Sequence, residues 1–356
     1  MPLSVLLLLL PAYFLFNFRD NIKSQNSTSP PVPFIQQELI PLKMTGWFAY
    51  WDEKNSQNSL NYVFPRLEIF SPMLYQVSAD GLLEVLPIVN RNQVMEGARE
   101  YNLPIIPVIG DGGERNNLLK LLGDEKKSRQ FTDSLIHEAE ANQFKGWSLD
   151  FEALDSTDGQ IFTGFVKYLN EKLKTHNLVL HLILYGRVEK ETYDKALAHN
   201  YKELSPYADR LYLMVYNYNN EFTDPGGQTP LTWYENVLKY AVKSVPKEKI
   251  AVGLSTHGYR WDQNGSVTGL TYPQISEIIS DDDPVIYFDE TQSAKTFMLN
   301  GNSGTSSEIW YEDNETLIQK IKLAREKYGL DKFALWRIGA EDPQIWPDMD
   351  KLINPV

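Results

Sequence analysis

A rhythm limits the fold more than any other feature of this chain. Short, nearly unbroken apolar runs alternate with stretches of helical spacing along most of its length. Residues 44–51, 67–72, 103–109, 145–152, 178–185, 211–216, 250–255 and 333–338 read as eight strands. Residues 91–101, 126–142, 158–175, 232–245 and 315–328 read as helices. In the third of these, Ile161, Phe165, Tyr168, Leu169 and Leu173 fall on one face of a 3.6-residue period. Strands apolar on both faces and separated by helices form a parallel sheet covered on both sides. Eight such units predict an α/β fold, a (β/α)8 TIM barrel. The gap between strands 7 and 8 is too long for one crossover. Residues 259–313 contain further strand-like runs at 285–288 and 308–311, and read as a small α+β insertion.

The barrel with its insertion accounts for residues 43–356, as one catalytic domain. Ahead of it, residues 19–42 read as a linker, polar and Pro-rich at 24–33. Residues 3–18 are almost wholly apolar, broken by Ser4, Pro11 and Asn17. That length suits the core of a signal peptide. The lack of Lys or Arg before the run, with Arg19 and Lys23 after it, suits an uncleaved membrane anchor. Either reading implies a secreted or cell-envelope protein. A net charge of −13, from 34 basic and 47 acidic residues, argues against nucleic acid as a partner. The chain has no Cys, which removes disulfides, thiol nucleophiles and Cys-ligated zinc. Its five His residues show no metal-ligand spacing, so neither a metal nor a cofactor is expected.

The chemistry concentrates in residues 145–152, KGWSLDFE. Alternation along a strand puts Trp147, Leu149 and Phe151 on one face and Ser148, Asp150 and Glu152 on the other. Two carboxylates on an inward face are paired, solvated or functional. Active sites of such barrels lie at the C-terminal strand ends. That end collects Tyr50 and Trp51 from strand 1, and Tyr216, Asn217 and Tyr218 from strand 6. Strand 8 adds Trp336 and Arg337, followed by Glu341 and Asp342. Aromatic rings around acids suit a neutral carbohydrate. Ordinary glycosidases set two carboxylates on opposite sides of the scissile bond. Asp150 and Glu152 share a strand and approach from one side. Glu152 can then protonate the leaving oxygen, with Asp150 raising its proton affinity. An acetamido group on the sugar can serve as nucleophile, its nitrogen held by Asp150 and its oxygen by Tyr216.

KGWSLDFE resembles the D-G-x-D-x-D-x-E signature of the family 18 glycoside hydrolases, the chitinase-like family. Met214-Val215-Tyr216-Asn217 resembles that family's Met-x-Tyr-Asp motif. Trp336-Arg337-Ile338-Gly339, with the following Glu341-Asp342-Pro343, is similar to its strand-eight tryptophan motif, nearest to bacterial spore-germination, cortex-lytic and deacetylase-fused branches. The resemblance implies that Glu152 is the general acid/base, Asp150 orients the acetamido group and Tyr216 binds its oxygen. It implies that Trp336 floors the subsite at the scissile sugar; Asn217, Ser148, Tyr50, Trp51 and Met214 are expected to bind substrate beside it. Lys145, Ser148 and Asn217 each stand where the family usually has Asp. The expected activity is substrate-assisted, retaining hydrolysis of β-1,4-linked N-acetylglucosamine glycans, in chitin oligomers or peptidoglycan. The expected partner is thus an N-acetylated polysaccharide or oligosaccharide, with membrane attachment through residues 3–18 if that segment is an anchor. The alternative is a catalytically weak or inactive chitinase-like glycan-binding protein.

Overall fold

Side chains that are apolar on both faces of a strand need cover on both sides, and the chain supplies it by closing its sheet into a ring. The computed structural model describes residues 42–52, 59–88, 90–300 and 306–353. The strands up to the insertion are β1 (Lys43–Phe48), β2 (Ile69–Val77), β3 (Leu83–Val85), β4 (Val108–Gly110), β5 (Gly146–Asp150), β6 (Val179–Tyr185), β7 (Arg210–Met214) and β8 (Ile250–Ser255). Then come β9 (His257–Asp262), β10 (Val267–Thr271), β11 (Tyr287–Asp289), β12 (Ala294–Asn300), β13 (Ser306–Tyr311) and β14 (Lys332–Trp336). Around the ring the order is β1, β14, β8, β7, β6, β5, β4, β2, and β1 pairs with β2 to close it. All eight pairings are parallel. This is the expected (β/α)8 barrel. The short β3 lies antiparallel on β2.

Outside the ring, helices bury one face each. The helix Glu125–Asn142 contributes Phe131 and Leu135, and Gly159–Thr175 contributes Phe165 and Leu169. They join Trp147, Leu149 and Phe151 in one apolar cluster. Asp124 caps the first of these helices, accepting from the Lys126 and Lys127 amides at 2.8 and 3.2 Å, a contact worth about 1 kcal/mol. Trp147 Nε1 donates to the Leu135 carbonyl at 3.2 Å and ties β5 to that helix. At Gly146 a Cβ would sit 2.0 Å from the Val179 carbonyl, so β5 approaches β6 this closely only with glycine there. A second cluster, including Trp47, Val108, Ile183, Tyr212 and Ala334, fills the interior of the ring.

Three strands are clearly shorter than their sequence suggests, among them the fourth, which stops at Asp150 and not at Glu152. The first ends at Phe48, and Tyr50–Asp52 form a 3-10 turn. The third is only Val108–Gly110, preceded by a lone bridge between Phe70 and Ile105. Pro104 and Pro107 have no N–H to give to a ladder there.

Between β8 and β14 the chain builds a five-stranded antiparallel sheet in the order β10, β9, β13, β12, β11. The helix Tyr272–Asp282 buries Ile275 against Leu270, Phe297, Ile309 and Tyr311. Lys320, on the barrel helix Asn314–Leu323, anchors this unit. Its Nζ donates to the Ser293 carbonyl at 2.5 Å and to Glu312 Oε2 at 2.7 Å. The expected leader or anchor at 3–18, and nearly all of the expected linker at 19–42, lie outside the described residues.

Candidate active site

Alternation along β5 decides what enters the barrel mouth. Trp147 and Leu149 turn to the helices, and so does Phe151 just past the strand. Asp150 and Glu152 turn inward and line a cavity of about 190 Å³. Trp336, at the end of β14, and Trp47 form one wall, with their ring centres 6.1 Å apart. Met214, Tyr216 and Asn217, from the end of β7, line another. Trp51 stands at the mouth, 54% exposed, with its ring centre 5.8 Å from that of Trp336. The strand end that carries Trp336 is held by Thr256, whose Oγ1 accepts from the Arg337 amide at 2.8 Å and donates to its carbonyl at 3.0 Å. Arg337 pairs with Asp52 beside Trp51. Thus Glu152, Asp150, Tyr216, Trp336, Asn217, Trp51 and Met214 share one cavity.

The acids are placed so that a proton stays with them. Burial comes first in raising Asp150 well above the usual carboxylate range, and the charges of Glu152 and Asp111 add to it. Its Oδ1 has no hydrogen-bond partner among the described residues. Glu152 is also raised, by burial above all and by Asp111; a hydrogen bond from Tyr185 and the charge of Lys195 work the other way. A glutamic acid whose hold on its proton is strengthened in this way is suited to general-acid work. Burial also pushes the Tyr216 hydroxyl well up, helped by Glu152 and Asp150, so Tyr216 remains a neutral donor. Asn217 adopts a positive φ of 59°, and its Oδ1 accepts from the Tyr259 hydroxyl of the insertion at 3.3 Å.

Several expected positions fall elsewhere. Ser148 faces inward, but it is fully buried between Val108 and His181 and does not reach the cavity. Along β5 it lies two residues below Asp150, about 7 Å of strand. Tyr50 packs edge-on against Trp51, 5.1 Å between ring centres, outside the lining. Glu341 accepts from Trp346 Nε1 at 3.0 Å and Asp342 from the Asn314 amide at 3.2 Å, so both are structural acceptors. Conversely, Tyr185 lines the cavity although the sequence does not single it out. Asp111, unmarked in a Gly-rich turn, accepts from the Gly113 amide at 2.7 Å and the Ala153 amide at 2.6 Å, just past Glu152.

An eight-stranded barrel with an acid pair and tryptophans at the C-terminal strand ends defines a glycosidase. The chain belongs to the Glycosyl hydrolases family 18, whose pattern it matches over residues 45–341. It is similar to the cortical fragment-lytic enzyme of Bacillus subtilis (strain 168), 23% identical over 310 residues, 85% of this chain and 72% of that one. It is similar also to the class V chitinase CHIT5 of Lotus japonicus, 23% identical over 263 residues, 65% of this chain and 66% of that one. Among solved structures, the chitinase from Chromobacterium violaceum ATCC 12472 superposes with a TM-score of 0.82 at 21% identity, covering 88% of this chain and all of that one (100%). The spore cortex-lytic enzyme SleL of Bacillus megaterium QM B1551 gives 0.79 at 20% identity, covering 88% and 74%.

Proposed function

We propose that the protein hydrolyses β-1,4-linked N-acetylglucosamine glycans, chitin oligomers or peptidoglycan, with the sugar's own acetamido group as nucleophile. One observation carries this reading. Among the described residues lining the cavity, the only carboxylates are Asp150 and Glu152, and both come from the end of one strand. Among those described residues no acid on the far side is there to attack the sugar, and a neighbouring acetamido group fills that role. Glu152 passes its proton to the glycosidic oxygen as the C1–O bond breaks, and the acetamido oxygen closes on C1. Asp150 accepts the acetamido N–H, Tyr216 donates to the acetamido oxygen, and Trp336 supports the sugar face. Water then attacks C1 and gives a proton to the Glu152 carboxylate; the acetamido oxygen leaves, and configuration is retained. Relatives named for cortical fragments and for chitin support an N-acetylated polysaccharide. The apolar run at 3–18 supports export, as a secreted or envelope-attached protein.

A glycan-binding protein without turnover is the second reading, favoured by Asn217, which is neutral and already held by Tyr259. Glu152→Gln separates the two. Turnover of chito-oligosaccharide or peptidoglycan is expected to fall about 10²–10⁴-fold, while binding followed by tryptophan fluorescence persists. Wild-type protein that binds these glycans and releases no reducing ends establishes the second reading. Undiminished turnover in Glu152→Gln ends the first.

A further inference from the structure

Strands β5 and β6 stay in register as far as Asp150 opposite Ile183. Past that point no ladder bond joins them, and the gap is filled by a side chain. His199 follows the short helix Asp194–Ala198 and is 1% exposed. Its Nδ1 accepts from the Tyr185 amide at 3.0 Å, and its Nε2 donates to the Phe151 carbonyl at 3.1 Å. One imidazole therefore joins the backbone beside the acid to the backbone of its neighbour strand. Those two bonds require the neutral ring with its hydrogen on Nε2. Burial pushes His199 down to about 4, which keeps it in that form.

The same ring fixes a side chain in the cavity. It stacks on Tyr185, ring centres 5.3 Å apart and planes at 22°. Tyr193 closes the other side edge-on at 5.4 Å, and the Tyr201 hydroxyl donates to the Tyr185 carbonyl at 2.5 Å. So held, the Tyr185 hydroxyl lies 3.4 Å from the Glu152 carbonyl, close enough to the carboxyl of the same residue to favour its charged form. A hydroxyl has one proton, and here two acceptors of one residue compete for it. An anion is the stronger acceptor.

We propose that Tyr185, held in place by His199, is a positioning residue for Glu152, its hydroxyl proton turning to the carboxylate as Glu152 gives up its own. This rests on Glu152 being the acid of the reaction. The bond stabilises the carboxylate left behind and makes Glu152 a readier donor. It opposes burial and the charge of Asp111 after β4, while Asp150, itself raised by Glu152, faces it from the same strand. Lys195, on the helix before His199, acts in the same sense as Tyr185, and Tyr216 faces the pair from β7 as a neutral donor.

Tyr185→Phe tests this, because it keeps the ring stack and the backbone bonds and removes only the hydroxyl. The basic limb of the kcat/KM profile on chito-oligosaccharide is expected to move up by about one pH unit, with KM little changed. His199→Leu, which retains bulk but neither hydrogen bond, is expected to move the limb the same way. An unmoved limb in Tyr185→Phe, with turnover abolished in Glu152→Gln, overturns the proposal and leaves the acid in place. Full turnover in Glu152→Gln overturns both.

Discussion

Lys320→Met is the sharpest test of what holds the insertion against the barrel. Lys320 and Glu312 are both 1% exposed in their side chains and meet at 2.7 Å. Removing the ammonium deprives Glu312 Oε2 of its partner, while Oε1 already has none among the described residues. The Ser293 carbonyl also loses its 2.5 Å donor. Breaking a buried pair from one side costs about 3–5 kcal/mol, because a charge stays behind unpaired. Protonation of Glu312 relieves part of that. Burial already raises its pKa against the pull of Lys320, and without Lys320 it rises further. A carboxyl raised in the folded state weakens folding as pH climbs above its unfolded value, so the cost is larger at pH 8 than at pH 5. Removing both partners, Lys320→Met with Glu312→Leu, leaves no stranded charge and is expected to recover most of the loss. Urea unfolding of wild type, single and double variants at both pH values measures this. A single variant that costs less than about 1 kcal/mol at pH 8, or a double no better than the single, refutes the reasoning.

Two further outcomes follow from the cavity. Tyr216→Phe keeps the ring and removes the donor, so kcat on chito-oligosaccharide is expected to fall about 10²–10³-fold with Tm nearly unchanged; activity within twofold of wild type contradicts the role given to the hydroxyl. Asp150→Asn removes a carboxyl whose folded pKa is raised, so wild type is penalised at pH values above the unfolded pKa and not below it. The variant is therefore expected to melt higher than wild type at pH 7, with the difference closing below about pH 4, while turnover is lost; equal melting at pH 7 contradicts it.

The eight strands are legible because each is a short apolar run between helical segments; their ends are less so, above all at the proline-broken third and the turn after the first. The acid pair is legible because polar residues alternate in 145–152. Alternation reports the side a residue faces but not its depth, and that is why Ser148 shares a face with Glu152 yet sits beneath the cavity. In 178–185 nearly every residue is apolar, so direction is hidden. The one polar residue, His181, shares its parity with Ile183 and Tyr185 and is the signal that could have marked Tyr185 as inward. Glu341 and Asp342 look like site acids in one dimension. Their partners, Trp346 and Asn314, come from helices whose packing the local sequence does not announce. Asp111 and His199 are equally silent, since each acts by bridging backbone groups from segments far apart in the chain.

The last stave of the ring, β14, fits between β8 and the very first strand. While the polypeptide is being made, β1 and β8 each carry a bare hydrogen-bonding edge, the kind of surface that recruits other chains. The 75 residues from His257 to Asp331 must emerge before that edge can be filled, about 4–15 s at ordinary rates of synthesis. A product cut short anywhere before Lys332 is therefore not a smaller enzyme but an unclosed sheet with two sticky margins.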